Sequence, residues 1–316
     1  MLKRFLVAAF AVLAFAPLPA PAAPEVPAPA ALVAQMNRAV RDLDYQGSFV
    51  YERDGRIDAL RIFHAAGPIE RERLVSVSGP RSEVIRSGPT VTCLPASERG
   101  VLLAGSSNTR LLPLVPRLQG RALQHYALRD AGTDRVAGYP ARVVEVVPRD
   151  AWRYGYRLWI EDGARLLLRS AVIDARQRTL EQFMFVALEI GAAPRESDLA
   201  PVGETGLVAS PDEESLRHAR WRVAEVPPGF FLARLQRPAK APDGAEHQVY
   251  SDGIANVSVY IEPAEAAAPP DRDLARGVIS LHAQTREGWR VTAVGDVPRA
   301  TVARMAGSVE AIPAPR

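Results

Sequence analysis

The amino-acid sequence predicts an α+β protein of two domains, the first of them built on a curled antiparallel sheet or open barrel. Residues 45–190 consist of short apolar runs separated by turn residues, without the spacing that βαβ crossovers need. Helical periodicity occurs close to both ends of the mature chain. A Pro/Gly-rich acidic segment, 192–217, separates two units. Because 316 residues exceed one typical core, two domains are expected.

The first residues have the pattern of a cleaved signal peptide. A charged start, Met1–Arg4, precedes the apolar run 5–16, and Ala20-Pro21-Ala22 offers a small-x-small cleavage site. The apolar run is shorter than the roughly 20 residues that a transmembrane helix requires. No cysteine lies near the cleavage site to carry a lipid anchor. The pattern therefore predicts export and a soluble mature product.

Charge and cysteine content narrow the classes of partner. The net charge of +3 falls to +1 without Lys3 and Arg4, because 37 basic residues then face 36 acidic ones. No basic run with interleaved aromatic residues is present, which argues against a nucleic-acid partner. Cys93 is the only cysteine, so no intramolecular disulfide can form. Its apolar neighbours predict a buried strand position, and pairing between chains is the alternative.

A helix and a hairpin are predicted after a Pro/Ala-rich tether. Residues 31–43 repeat apolar side chains at three- and four-residue spacing, which predicts an amphipathic helix of about 13 residues that covers the sheet. In 45–63 two alternating runs flank Asp54-Gly55, which predicts a β-hairpin. Residues 108–119 contain two prolines among leucines and are predicted to form an irregular loop. Further strands are predicted in RERLVSVSG, TVTCLP, GVLLAG and ARVVEVVPRD, giving roughly eight or nine in this domain.

Residues 157–190 predict a three-stranded meander that is apolar on both faces. Phe183 and Phe185 face one side of the third strand, while Met184 and Val186 face the other. Such a sheet needs two covers, for instance a helix on one face and a second layer or an apolar ligand on the other. Aromatic residues on strands are typical of a packed core and also of a ligand cavity, and both interpretations stay open. The candidate lipid-cavity residues are Phe49, Tyr51, Leu158, Ile160, Phe183 and Phe185.

A second unit of about 100 residues begins near Trp221. Its alternating runs predict strands, and residues 299–309 have helical spacing, so a small α+β domain is expected. Phe230 and Phe231 cannot both point inward from an extended segment, so one of them is a candidate anchor for a partner. The candidate partner-binding residues are Trp221, Phe230, Phe231 and Trp289.

No motif for catalysis, cofactor binding or metal binding is found. The five histidines are scattered, and the sequence lacks HExxH, GxGxxG, a P-loop and GxSxG. We therefore predict neither catalytic residues nor cofactor or metal ligands, and a protein that is not an enzyme.

Five segments together carry a family resemblance: YQGSFVYERDG, RLWIEDGARLLLRSAVID, LEQFMFVALEI, WRVAEVPPGFF and GWRVTAVGDVP. In this order and in an exported chain, they resemble the MucB/RseB family of periplasmic sigma-E factor regulatory proteins. The resemblance implies a signal peptide in 1–22, a lipid-sensing domain in 24–195, a linker in 196–216 and an anti-sigma-factor-binding domain in 217–316. It also implies that the first domain is a LolA/LolB-like incomplete antiparallel β-barrel closed by helices, and that the second is a smaller α+β domain.

The function implied by the resemblance is negative regulation of the envelope-stress response of the sigma-E/AlgU type in the periplasm. Members bind the periplasmic part of a membrane-spanning anti-sigma factor, shield it from regulated proteolysis, and are released by lipopolysaccharide or a similar amphiphile. A homo-oligomer remains open. Two other classes are weighed against this one: a periplasmic lipid or lipoprotein carrier of LolA type, in which the second domain has no role, and a hydrolase with unrecognised residues.

Overall fold

The structure is a computed structural model that describes residues 27–80, 82–88, 90–94, 112, 115–116, 118, 120–201, 214–215, 218–237, 242–265 and 270–313. The predicted signal peptide and the GVLLAG run lie outside the described residues, as does most of the predicted loop 108–119. None of the described helices is long and apolar enough to cross a bilayer.

The first domain is a curled antiparallel sheet of ten strands with a helix against it. The sheet order is β5-β4-β3-β2-β1-β10-β9-β8-β7-β6, and no described pairing joins β5 to β6, so the barrel is incomplete as expected. At the curled end the hydroxyl of Tyr139 donates to the carbonyl of Leu188 at 3.1 Å. The elements are α1 (Pro29–Asp42), β1 (Tyr45–Arg53), β2 (Arg56–Ala65), β3 (Arg71–Ser76), β4 (Glu83–Ser87), β5 (Thr90–Leu94), β6 (Tyr126–Val136), β7 (Tyr139–Pro148), β8 (Gly155–Glu161), β9 (Leu167–Ile173), β10 (Thr179–Ile190) and the short helix α2 (Glu196–Leu199).

Helix α1 covers the concave face, which confirms the predicted amphipathic helix. Pro29 stands in its first turn, where a missing N–H costs nothing. Its buried side chains, among them Leu32, Met36 and Val40, join the core formed by the inner faces of the strands. The helix thus supplies the first of the two covers that the sheet requires.

The meander of β8, β9 and β10 is apolar on both faces, as predicted. Leu158 and Phe183 point into the inner core, whereas Trp159 and Met184 belong to a second cluster on the outer face. The outer cluster is covered by the curled end of the sheet and by the guanidinium of Arg169, which lies 4.1 Å from the indole centroid of Trp159. Protein side chains therefore form this second cover.

Two strands of the first domain were not predicted, β4 and β6. The first has only five residues. The second reads YALRDAGTDRV and is exposed along most of its length, because it is an edge strand that carries charges instead of an apolar alternation. The sheet therefore has ten strands, in place of the eight or nine that the sequence indicated. Cys93 lies on β5, as expected, while the burial of its side chain falls outside what the structure describes.

The second domain packs one helix on a seven-stranded antiparallel sheet of order β11-β13-β14-β15-β18-β17-β16, with a separate pair β12-β19. Apolar residues of β15 and of the helix form its core, as helical spacing in 299–309 predicted. The hairpin β16–β17 was missed, because it follows an Ala/Pro-rich stretch and its first strand is exposed. The elements are β11 (Glu214–Ser215), β12 (Trp221–Val223), β13 (Phe231–Arg237), β14 (Glu246–Ser251), β15 (Asn256–Pro263), β16 (Arg272–Arg276), β17 (Ile279–Arg286), β18 (Trp289–Gly295), α3 (Arg299–Gly307) and β19 (Val309–Ala311).

Candidate functional site

Five of the six candidate lipid-cavity residues lie together in the packed core of the first domain. The rings of Phe49, Phe183 and Phe185 meet edge to face, with centroids 5.7 to 6.0 Å apart. Leu158 and Ile160 are fully buried in the same cluster. No face of these side chains is open to solvent in this state, so a ligand could reach them only after neighbouring groups move.

Tyr51, the sixth residue, lies at the rim of this core beside a buried carboxylate. Its hydroxyl donates to Glu181 Oε2 at 2.6 Å. Burial raises the pKa of the Glu181 carboxyl, and burial together with this carboxylate raises the pKa of the Tyr51 hydroxyl well above its ordinary value. The rim therefore holds a carboxylate that is poorly solvated and hydrogen-bonded to a neutral phenol.

A turn of the second domain fits into this rim. Val278, in the turn between β16 and β17, packs into the core of the first domain, and its amide hydrogen-bonds to Glu181. Arg276 donates from Nε to Asp54 Oδ2 at 2.8 Å. Gly277 has φ +58°, and a Cβ there would lie 2.8 Å from Glu181 Oε1. We call residues 276–278 the plug turn, because it closes the rim beside Tyr51.

A second contact between the domains is centred on Arg153. Its guanidinium pairs with Asp252 at 2.6 Å, with both side chains fully buried, and donates to the carbonyl of Pro228 at 2.5 Å. The ring of Phe230 stacks on the same guanidinium, 5.1 Å from Cζ to its centroid. The carboxylate of Asp252, the carbonyl of Pro228 and the ring of Phe230 all contact this one guanidinium. Because they come from different segments of the second domain, the contact fixes one arrangement of the two domains.

The junction is rich in acidic groups that are poorly hydrated. Burial, together with the nearby carboxylates of Asp252 and Glu181, raises the pKa of the Asp296 carboxyl to about 6. Burial also raises the pKa of the Tyr126 and Tyr156 hydroxyls, with Asp252 and Asp296 adding to the effect. Protonation of Asp296 therefore removes an unfavourable buried negative charge from the junction.

The candidate partner-binding residues divide into two places. Trp221 and Trp289 lie side by side, with ring centroids 4.6 Å apart, and line an open groove of about 720 Å³ between β12, β18, β19 and α3. Phe230 is buried at the junction with Arg153, and Phe231 is 48% exposed on the first residue of β13. The prediction that only one of the adjacent phenylalanines points inward is confirmed.

Among the described residues one group has the side chains of a metal site, namely His64, Glu70 and Glu72. His64 donates from Nδ1 to the carbonyl of Leu43, and its Nε2 lies 3.0 Å from Glu70. Arg86 donates from Nε to Glu72 at 2.7 Å and forms an ion pair with Glu70 at 2.8 Å. The guanidinium already supplies the positive charge that the acids need, and we interpret the group as a structural ion network.

No sequence pattern predicted the junction residues Arg153, Glu181, Asp252 and Val278. Each stands in a turn or an otherwise ordinary strand, and their partners lie about 100 residues away in the chain. Only the chain's folding brings the two sets together. Acidic and basic residues with no periodic pattern around a turn, such as RDAWRYG, carry no signal that distinguishes a buried ion pair from an exposed one.

A packed β-domain joined to a smaller domain with an open aromatic groove defines a two-domain α+β protein with a candidate binding surface. Two family models match the chain, the MucB/RseB N-terminal domain over residues 28–203 and the MucB/RseB C-terminal domain over residues 215–310. The chain belongs to the MucB/RseB family, which confirms the resemblance drawn from its motifs.

Relatives cover nearly the whole chain. The Sigma factor AlgU regulatory protein MucB of Pseudomonas aeruginosa is 35% identical over 284 residues, which are 87% of this chain and 88% of MucB. The Sigma-E factor regulatory protein RseB of Escherichia coli K12 is 28% identical, over 90% of this chain and 91% of RseB. A crystal structure of MucB in complex with MucA(peri) matches with a TM-score of 0.74 and 32% identity, over 91% of this chain and all of that chain. The relatives are thus regulators of sigma factors, and both domains have counterparts in MucB.

Proposed function

We propose that the protein is a periplasmic negative regulator of an envelope-stress response of the sigma-E/AlgU type. It binds the periplasmic part of a membrane-spanning anti-sigma factor and shields it from regulated proteolysis. Lipopolysaccharide or a similar amphiphile releases it. Its activity is binding, without a catalytic step or cofactor. Residues 24–195 sense the lipid, residues 196–216 connect the domains, and residues 217–316 bind the anti-sigma factor.

The observation that carries this proposal is the match of both domains to MucB in one chain. A similarity to the first domain alone would fit many functions of that fold, because a fold does not fix a function. Here the two domains occur together and in the same order, and the matching structure of MucB was solved with MucA(peri) bound. The partner of this chain is accordingly expected to be the corresponding segment of its own anti-sigma factor.

The plug turn suggests how lipid and partner affect one another. The candidate lipid-cavity residues are packed in this state, and Val278 of the second domain completes their rim. An acyl chain that enters beside Tyr51 has to displace the plug turn, and so disturbs the domain that carries the groove. A ligand that prefers the displaced arrangement weakens partner binding by the same factor by which the partner weakens ligand binding.

Titration calorimetry of the mature protein tests the function directly. The titrant is the purified periplasmic segment of the anti-sigma factor encoded in the same genome, with and without lipopolysaccharide. We expect binding that the lipid weakens, together with protection of the segment from the protease that starts the envelope-stress response. Absence of binding would overturn the proposal, whereas binding that is indifferent to lipid would remove the release step and leave a partner shield.

A carrier of the LolA type remains the second candidate. Its supporting observation is the sheet that is apolar on both faces, with a core rim beside Tyr51. A carrier needs only the first domain, while in this structure Val278 of the second domain completes the core of the first. If the protein is a carrier, residues 24–195 should extract an acylated lipoprotein from membranes. If the protein is a regulator, they should not extract it.

A further inference from the structure

The two-stranded sheet β12–β19 has one covered edge and one open edge. On the side of β12, Gln248 donates to the carbonyl of Trp221 at 2.8 Å, and the hydroxyl of Tyr250 hydrogen-bonds to the backbone of Val223. On the side of β19 no strand pairs with it in the part of the chain that the structure describes. The open edge runs along the groove that holds the two indole rings, because Val309 and Ala311 are among the groove residues.

Hydrogen bonds at both ends fix which backbone groups of β19 face this open edge. The amide of Ala224 donates to the carbonyl of Ser308 at 2.9 Å, and the amide of Ile312 donates to the carbonyl of Arg220 at 2.8 Å. In an antiparallel pair, residues alternate between facing the partner strand and facing away. Val309 and Ala311 consequently direct their N–H and C=O groups away from β12.

We propose that an extended segment of a protein partner adds to β19 as a third strand and lies in the groove of Trp221 and Trp289. This inference rests on the proposed function, for which it names the binding surface. Two alternating N–H donors with their carbonyls have the spacing with which the backbone of an extended polypeptide pairs. The neighbouring Pro313 has no N–H and ends the open edge, so the added strand is short.

The register predicts the side chains of that segment. Trp221 is opposite Ala311 in the sheet, so a residue added beside Ala311 places its side chain on the same face, against the indole rings. Alanine leaves room there, which favours an aromatic or branched apolar residue. Glu310 lies on the other face, paired with Arg222 at 2.5 Å and about half exposed. A basic residue opposite Glu310 is favoured, so the segment has an apolar-basic-apolar order along β19.

Ala311→Pro tests the edge with little disturbance of the fold. Proline removes one of the two N–H groups that face the open edge, while the bonds of Glu310 and Ile312 to β12 remain. Ala311→Ser is the matched control that keeps the N–H. Titration of the mature protein with the periplasmic anti-sigma segment should show at least a tenfold loss of affinity for Ala311→Pro and little change for Ala311→Ser. Trp289→Ala should lose affinity by a similar factor.

Amide hydrogen exchange on the unaltered protein supplies a readout that does not depend on a variant. Partner binding should slow exchange at Val309 and Ala311 and leave the exposed strand β16 unchanged. The site is overturned if the unaltered protein binds the segment while Ala311→Pro binds equally well or the two amides gain no protection. If the unaltered protein does not bind at all, the proposed function itself fails, so the two failures are distinguishable.

Discussion

The guanidinium of Arg153 and the carboxylate of Asp252 form a fully buried ion pair, 2.6 Å apart, between the two domains. The pair is surrounded by groups that complete its hydrogen bonding. Asp252 also accepts the amides of Ile254 and Ala255, and Arg153 reaches the carbonyl of Pro228. A buried pair of this kind adds little net stability over apolar residues, but loss of one partner leaves an uncompensated charge. It therefore determines how the domains are joined.

Arg153→Met should be strongly destabilising. The change leaves the carboxylate of Asp252 buried without its cation, which costs about 3–5 kcal/mol. Urea unfolding measures the loss in the free energy of unfolding. Arg178→Met is the matched control, because Arg178 pairs with Asp174 at 2.7 Å on the surface with its side chain 66% exposed, and such pairs contribute below about 1 kcal/mol. Equal losses for the two variants would show that the buried pair has no special role.

The stability of the junction should fall as the pH rises through the titration of Asp296. Its pKa is about 6 in the folded protein and about 3.8 when exposed, because burial disfavours the charged form. The neutral form is favoured, so stability is fully present below pH 3.8 and is lost as the pH rises through 6. A shift of this size corresponds to about 3 kcal/mol at most. The groups that face Asp296 are the carboxylates of Asp252 and Glu181 and the hydroxyls of Tyr126, Tyr154 and Tyr156.

Asp296→Asn isolates this contribution, because asparagine keeps an acceptor for the amide of Asn256 and carries no charge. Unfolding free energies of both proteins are compared between pH 4 and pH 8. We expect the free energy of unfolding of the variant to increase relative to that of the unaltered protein as the pH rises. The fully exposed Asp243 provides the control Asp243→Asn, which should change nothing. A pH-independent difference for Asp296→Asn would contradict the assignment.

Phe183→Ala should cost about 3–5 kcal/mol, the loss typical of a packed phenylalanine. The ring is fully buried and contacts both Phe49 and Phe185 edge to face. Val186→Ala on the same strand is the matched control, because Val186 is 54% exposed and its truncation should stay within about 0.5 kcal/mol. Thermal or urea unfolding measures the free energy of unfolding of both variants. A cost for Phe183→Ala well below the core value would indicate that the ring borders a ligand cavity.

Locking the plug turn should abolish the response to lipid. The pair Asp54→Cys and Arg276→Cys puts one thiol at each side of an ion pair between the domains, in a Cys93→Ser background that removes the only native thiol. The 2.8 Å of this ion pair separates the tips of two side chains, so a short bis-methanethiosulfonate linker joins the thiols in place of a direct disulfide. With the linker in place, an amphiphile can no longer displace the turn, so partner binding should persist in the presence of lipopolysaccharide. Reduction removes the linker and should restore release in the same sample, which is its own control. Release from the linked protein would show that lipid acts without opening this rim.

Elements with a local signal could be predicted from the amino-acid sequence. The alternation in β8 and β10, the Asp54-Gly55 turn and the spacing of Leu32, Met36 and Val40 depend on neighbours within a few residues. The pairing of Trp221 with Trp289 and the choice between Phe230 and Phe231 could not be read in this way. The edge strand β6 was missed because its exposed side chains are charged and do not alternate between polar and apolar residues.

The place where the two domains meet became known from the folded chain alone. The interdomain partners Arg153 and Asp252 are separated by 99 residues, and Val278 completes a core whose other members lie in the first domain. The identity of a charged residue does not show whether its side chain is solvated or buried. Its pKa depends on the groups that surround it in the folded protein. The open edge of β19 is likewise a tertiary feature, because among the described residues the chain covers the β12 side of this strand pair and places no strand on the β19 side.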